Sequence, residues 1–193
     1  MNPIAFLESN IRFIFDGNQW SHLLKYDEQT DYKKIGNAIT GTKAVDFIGI
    51  LNNEILTLIE VKNFRGFRIE NKSRTDLKED SLDLEVAQKV RDTLSGILGA
   101  ARHSTHLKEQ WNEYVKFILN NHKSVHVILW LEEDLPPQPN FILQKRMKSR
   151  DGNLTNTLKQ KLNWLTSHVS VVNASYFPYS SSLTVSLLPK TVK

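Results

Sequence analysis

Residues 44–63 constrain this chain more than any other stretch. They hold two apolar runs, AVDFIGIL and ILTLIEVKN, separated only by Asn52, Asn53 and Glu54. Short apolar runs rich in β-branched residues and bounded by turn formers predict strands, here over 44–51 and 55–63, joined as a hairpin. Each run would read as buried on both faces were it not for its charges. Side chains alternate along a strand, so Glu60 and Lys62 share a face with Leu56 and Leu58, and Asp46 shares one with Ile48 and Ile50. A buried charge is costly unless it is paired or bound to a metal.

Loop length sets the register. With a three-residue loop Leu51 faces Ile55, which places Asp46 directly opposite Glu60 and Lys62 opposite Ala44. Directly opposed residues have Cβ atoms about 4.5–5.5 Å apart. Carboxylates that close repel unless a proton or a cation lies between them. A two-residue loop would slip the register and send the two acids to different faces.

The text Asp/Glu-x-Lys recurs at Asp31 and Lys33, Glu60 and Lys62, Glu70 and Lys72, and Asp76 and Lys78. Only the Glu60 instance ends an apolar strand. A plain ion pair at a strand end would need one carboxylate, whereas here two converge. Two carboxylates suit a hard cation such as Mg²⁺, with Mn²⁺ as a substitute. Such a cation polarises a phosphoryl oxygen and activates water. A lysine beside it can hold that water or offset developing charge.

The other elements follow from periodicity. Ile4, Leu7, Ile11 and Ile14 predict an amphipathic helix over 3–16. Residues 18–43 read as polar and irregular, with a short strand near 34–39. A helix over 81–102 would bury Ala87, Val90, Leu94, Ile97, Leu98 and Ala101, and Gly96 and Gly99 would let it approach the sheet. A helix over 105–120 would turn Leu107, Trp111, Tyr114, Val115 and Ile118 inward. Residues 125–131 are nearly all apolar and predict a central strand. Residues 153–165 predict a helix, and 169–172 and 183–188 the last strands. Glu132, Glu133 and Asp134 read as a polar exit from the strand before them. The order predicts an α/β fold with a mixed central sheet flanked by helices.

Composition narrows the class. The chain has 193 residues, 40% of them apolar, enough for one domain over 1–193. It has no cysteine, which excludes disulfides, zinc fingers and thiol nucleophiles. The N-terminus carries Glu8 and no basic lead, so no signal peptide is expected. No apolar run is long enough to span a bilayer, and a soluble, cytoplasmic protein without a membrane partner is expected. The formal charge is +4. Positive charge gathers at Arg65, Arg68, Lys72 and Arg74, and again at Lys145, Arg146, Lys148 and Arg150. Solvated loops would account for either cluster, but both also suit a phosphate backbone.

Asp46 in AVDFIGI, Glu60-Val61-Lys62 in ILTLIEVK and the helix SLDLEVAQKVRDTLSGILGAAR resemble the PD-(D/E)XK nuclease superfamily. The resemblance covers about residues 4–131, with the segment from about 140 to 193 completing the sheet. Val45 stands where the family has proline. The resemblance implies a restriction-endonuclease-like core of a helix, a strand meander, a helix and a further strand. It implies Mg²⁺-dependent hydrolysis of DNA, with metal on Asp46, Glu60 and the Val61 carbonyl. Lys62 would serve the attacking water. Gln88 would be a further catalytic residue and Glu8 a further metal ligand, although Gln88 could instead face solvent and Glu8 be a helix-surface acid. DNA is the expected partner, in a homodimer or larger nuclease assembly. An RNA nuclease, or a non-catalytic nucleic-acid-binding or assembly subunit, are the alternatives.

Overall fold

The computed structural model describes residues 2–66, 81–134, 141–178 and 180–189. The strands are β1 (Ile4–Glu8), β2 (Ile11–Phe15), β3 (Trp20–Lys25), β4 (Phe47–Leu51), β5 (Ile55–Asn63), β6 (Ser124–Glu132), β7 (Val169–Val172) and β8 (Leu183–Leu187). The described helices are α1 (Thr30–Ala38), α2 (Leu82–His103), α3 (Lys108–Leu119) and α4 (Phe141–Leu162). None of them is long and apolar enough to cross a membrane.

The fold is α/β. A five-stranded mixed sheet runs β3-β4-β5-β6-β7, and an antiparallel three-stranded sheet runs β1-β2-β8. The expected hairpin register holds: Leu51 pairs with Ile55 and Phe47 with Ile59. Asn52 and Asn53 both take positive φ in the loop, which asparagine tolerates better than most residues. β5 and β6 are parallel, as are β6 and β7, with helices crossing between them.

β5 lies at the centre and is covered on both faces, which explains its continuous apolar run. One face, with Leu56 and Leu58, packs with Ile48 and Ile50 of β4, Val127 and Leu129 of β6, Val86, Val90 and Ile97 of α2, Trp111 of α3 and Leu158 of α4. The other face, with Ile59 and Val61, packs with Phe47, Ile128 and Trp130 against Ile11, Phe13 and Phe15 of β2 and Leu183 of β8. The chain therefore stacks helices, a five-stranded sheet and a three-stranded sheet in three layers.

The N-terminal segment departs from expectation. Residues 3–16 form a β-hairpin and no helix. Ile11, Phe13 and Phe15 alternate inward, Arg12 points out, and Ser9 and Asn10 make the turn with positive φ. Ile4, Leu7, Ile11 and Ile14 fit a helical period by coincidence; burying Phe13 and Phe15 beside Phe47 and Trp130 decides for the strand. Residues 18–43 hold β3 and helix α1, where a short strand near 34–39 was expected. β3 was hidden by a bulge at His22, whose φ is 50°. The helix expected over 153–165 begins earlier, so Lys145, Lys148 and Arg150 lie on α4 and not in a loop.

α2 turns slightly from its expected face. Val86, Val90, Thr93, Ile97 and Ala100 are buried, whereas Leu98 is 47% exposed. Gly96 lies against Tyr26 so closely that a Cβ there would come within 2.3 Å of the phenol oxygen, while Gly99 faces open space.

The hairpin assignment separates two mutations. Phe13→Ala should cost about 3–5 kcal/mol of unfolding free energy. Leu7→Ala, at a position 56% exposed, should cost no more than about 0.5 kcal/mol. Urea titration of both variants checks this; equal costs would favour a helix with Leu7 facing inward.

Candidate active site

The carboxyl ends of parallel β5, β6 and β7 lie at the same end of the sheet, and ligand sites of open α/β sheets favour that end. The end of β3 and the start of β4 meet there, through pairing of Lys25 with Phe47 and of Phe47 with Ile59. The end of β1 joins them, since the Lys25 Nζ lies 3.0 Å from a Glu8 carboxylate oxygen and Asn63 donates to the Ser9 carbonyl at 2.6 Å.

Glu60 is fully buried. Its Oε1 meets Lys62 Nζ at 3.0 Å and Lys89 Nζ at 2.7 Å as ion pairs. Its Oε2 is buried with no hydrogen-bond partner among the described residues. Lys62 reaches on to Glu85 Oε1 of α2 at 2.8 Å. Burial alone would depress the Lys62 ammonium, but Glu60 and Glu85 outweigh it and hold its pKa above the ordinary value.

Asp46 lies one step beyond the paired part of β4. Its N–H still donates to the Ile59 carbonyl, and its Oδ2 accepts the Val61 N–H at 2.6 Å. The regular ladder stops at Phe47 with Ile59, so the expected pairings of Asp46 with Glu60 and Lys62 with Ala44 are not part of it. Burial, and then the negative charge of Glu60, push the Asp46 carboxyl up to about 8. One oxygen each of Asp46, Asp27 and Glu8 lie within 4.8 Å of one another, spacing that could hold a metal ion. Burial also raises Asp27, whose Oδ1 is buried without a hydrogen-bond partner among the described residues.

Of the predicted residues, Glu60 and Lys62 are in contact and the charge of Glu60 acts on Asp46, but the close acidic group around Asp46 is formed with Glu8 and Asp27 and leaves Glu60 out. Glu8 reaches the same place from the end of a strand, not from a helix. Gln88 is engaged elsewhere: it accepts a hydrogen bond from Lys43 Nζ at 2.9 Å, tying the segment before Asp46 to α2. Val61 touches the site through its N–H. Asp27, Glu85 and Lys89 were missed. The 85 and 89 positions stand one turn apart on a helix, which could have marked them as a pair facing the sheet. Asp27 carried no signal once β3 went unread.

Of the basic residues, Arg65 donates to Asn63 Oδ1 and to the Asn10 and Leu188 carbonyls, pinning loops together. Arg150 pairs with Glu133 and Asp151. Lys145 and Lys148 are exposed on α4. Arg68, Lys72, Arg74 and the Arg146 side chain lie outside the described residues. Glu132, expected in a polar exit, is buried and accepts from Trp130 Nε1 and from the Ala174 N–H.

Residues 29–183 match a family described as "Family of unknown function (DUF6661)". No curated protein and no solved structure matches the chain.

A carboxyl whose folded pKa is raised binds its proton more tightly in the native state. Metal-free protein should therefore lose stability as pH rises from about 4 toward about 8, the interval between the ordinary and the folded value for Asp46. Asp46→Asn keeps an acceptor for Val61 and removes the charge. Its melting temperature in EDTA should exceed wild type, by a margin that grows from pH 5 to pH 8. A margin independent of pH would mean that Asp46 does not titrate this way.

Proposed function

The chain belongs to the DUF6661 family, whose function is unknown, and we propose that it is a Mg²⁺-dependent nuclease hydrolysing DNA phosphodiester bonds. The observation that carries this reading is the burial of Asp46 and Glu60 at the carboxyl end of the central strands, with Glu60 acting electrostatically on Asp46 and Lys62 paired to Glu60. The resemblance to PD-(D/E)XK nucleases supports it, because that family uses these residue types on adjacent strands for this chemistry.

The donors fit a hard divalent cation. They are all oxygens, and buried oxygens of Glu60 and Asp27 have no hydrogen-bond partner among the described residues. Oxygens of Glu8, Asp27 and Asp46 are spaced to share the ion, and Glu60, whose charge acts on Asp46, would join them. Such an ion would supply Lewis-acid polarisation of the phosphoryl oxygen and lower the pKa of water. Val61 fixes the Asp46 carboxylate through its N–H. Glu85 steadies Lys62 from the helix side. Lys62, held between Glu60 and Glu85, would offer a charged donor to the attacking water or to developing negative charge.

Phosphate binding is assigned to the same end of the molecule. α4 follows β6 and begins beyond its carboxyl end, where Arg150 meets Glu133. Exposed Lys145 and Lys148 are free to neutralise backbone phosphates, whereas Arg65 and Arg150 serve structure first.

The test is a gel assay of plasmid, linear duplex, single-stranded DNA and RNA with Mg²⁺, Mn²⁺ or EDTA. Cleavage of DNA should need the metal. Lys62→Ala should lose at least about 10²-fold in rate while still binding DNA. Lys145→Ala with Lys148→Ala should instead weaken binding to all sequences and flatten its salt dependence by about 1–2 in slope. Cleavage of RNA alone would redirect the substrate. DNA binding without metal-dependent cleavage would overturn the catalytic reading in favour of a binding subunit.

A further inference from the structure

Lys89 has no role in the chemistry assigned to Asp46, Glu60 and Lys62, yet it makes the shortest ion pair among the described residues of the site. It projects from the second turn of α2 and places Nζ 2.7 Å from Glu60 Oε1. Its charge also acts favourably on Asp46 and Asp27. The other ammonium groups of the site are each divided between two acids. Lys62 is shared between Glu60 and Glu85, and Lys25 between Glu8 and Glu28. Glu60 still keeps a fully buried Oε2 without a hydrogen-bond partner among the described residues. Among the described residues, the acids Glu8, Asp27, Asp46, Glu60 and Glu85 outnumber the ammonium groups that face them.

From this arrangement we infer that Lys89 is a tethered cation, filling in for the metal in the metal-free site and giving way when a divalent ion binds. The inference rests on the metal reading given above. The physical reason is competition for one electrostatic well. A single positive charge on a flexible four-carbon stem partly compensates the buried carboxylates; a divalent ion compensates them further and cannot share Glu60 Oε1 with an ammonium at contact distance. Lys62 differs because Glu85 gives it a second carboxylate to remain on. Lys89 therefore sets the metal affinity without touching the reacting atoms: it is a positioning residue, and it keeps Glu60 in place until the ion arrives.

The experiment is calorimetric titration of Mn²⁺ into wild type, Lys89→Met, Lys89→Arg and Lys62→Met, with melting temperatures measured in EDTA and in Mn²⁺. Lys89→Met should bind Mn²⁺ at least about tenfold more tightly than wild type, because the competitor is gone. It should melt lower in EDTA and gain more from Mn²⁺ than wild type does. Lys89→Arg keeps the charge and should bind close to wild type, and Lys62→Met should gain less than Lys89→Met. If Lys89→Met unfolds in EDTA, recovery of its fold by Mn²⁺, and not by Na⁺ at equal ionic strength, carries the same meaning. Equal or weaker Mn²⁺ binding by Lys89→Met would overturn the tethered cation and leave the metal site standing. Absence of binding in wild type and variants alike would overturn the metal reading, and this inference with it.

Discussion

Glu60 is a carboxylate with no solvent contact, at the end of the strand that every layer of the molecule covers. An isolated charge there would be expensive, and the fold answers with two lysines, one from the strand itself and one from α2. Much else depends on that answer. α2 must dock with its second turn over the end of β5, and Gly96 permits the approach further along by leaving room for Tyr26. Thr93 of the same helix accepts the Val45 N–H, holding the backbone just before Asp46. The residues that seat the helix thus also hold the Glu60 carboxylate and the backbone beside Asp46.

Asp46 owes its unusually weak acidity to this placement. It sits where β4 has left the ladder, so its carboxylate can turn toward Val61 while its backbone still bonds to Ile59 and Tyr26. Burial and Glu60 both oppose its charge. On the reading proposed above, a site that disfavours its own anions would take up a cation, and the exposed lysines of α4 would meet a polyanion. The three-stranded sheet contributes by closing the far face of β5 and by delivering Glu8 beside Lys25.

The central hairpin was legible because its apolar runs, its Asn-Asn loop and its charges agree on one register; the strands, their pairing and the Glu60–Lys62 contact on one strand face follow directly. The N-terminal hairpin was not, because four aliphatic residues satisfy a helical period and the deciding partners, Phe47 and Trp130, are distant in sequence. β3 was hidden by a bulge. α1 was hidden because it is polar nearly all round; its one buried residue, Asp31, is held by Ser104 and Trp111. The site was half legible for the same reason. Strand residues declare themselves by interrupting an apolar run, whereas Lys89 and Asp27 stand among polar neighbours and acquire meaning only through the fold.

The most direct measurement is anomalous diffraction from crystals soaked in Mn²⁺. The account predicts an ion coordinated by carboxylate oxygens of both Asp46 and Glu60, with Lys62 adjacent. An ion bound elsewhere while this site stays empty, or Asp46 and Glu60 carboxylates turned to opposite faces of the sheet, would contradict it.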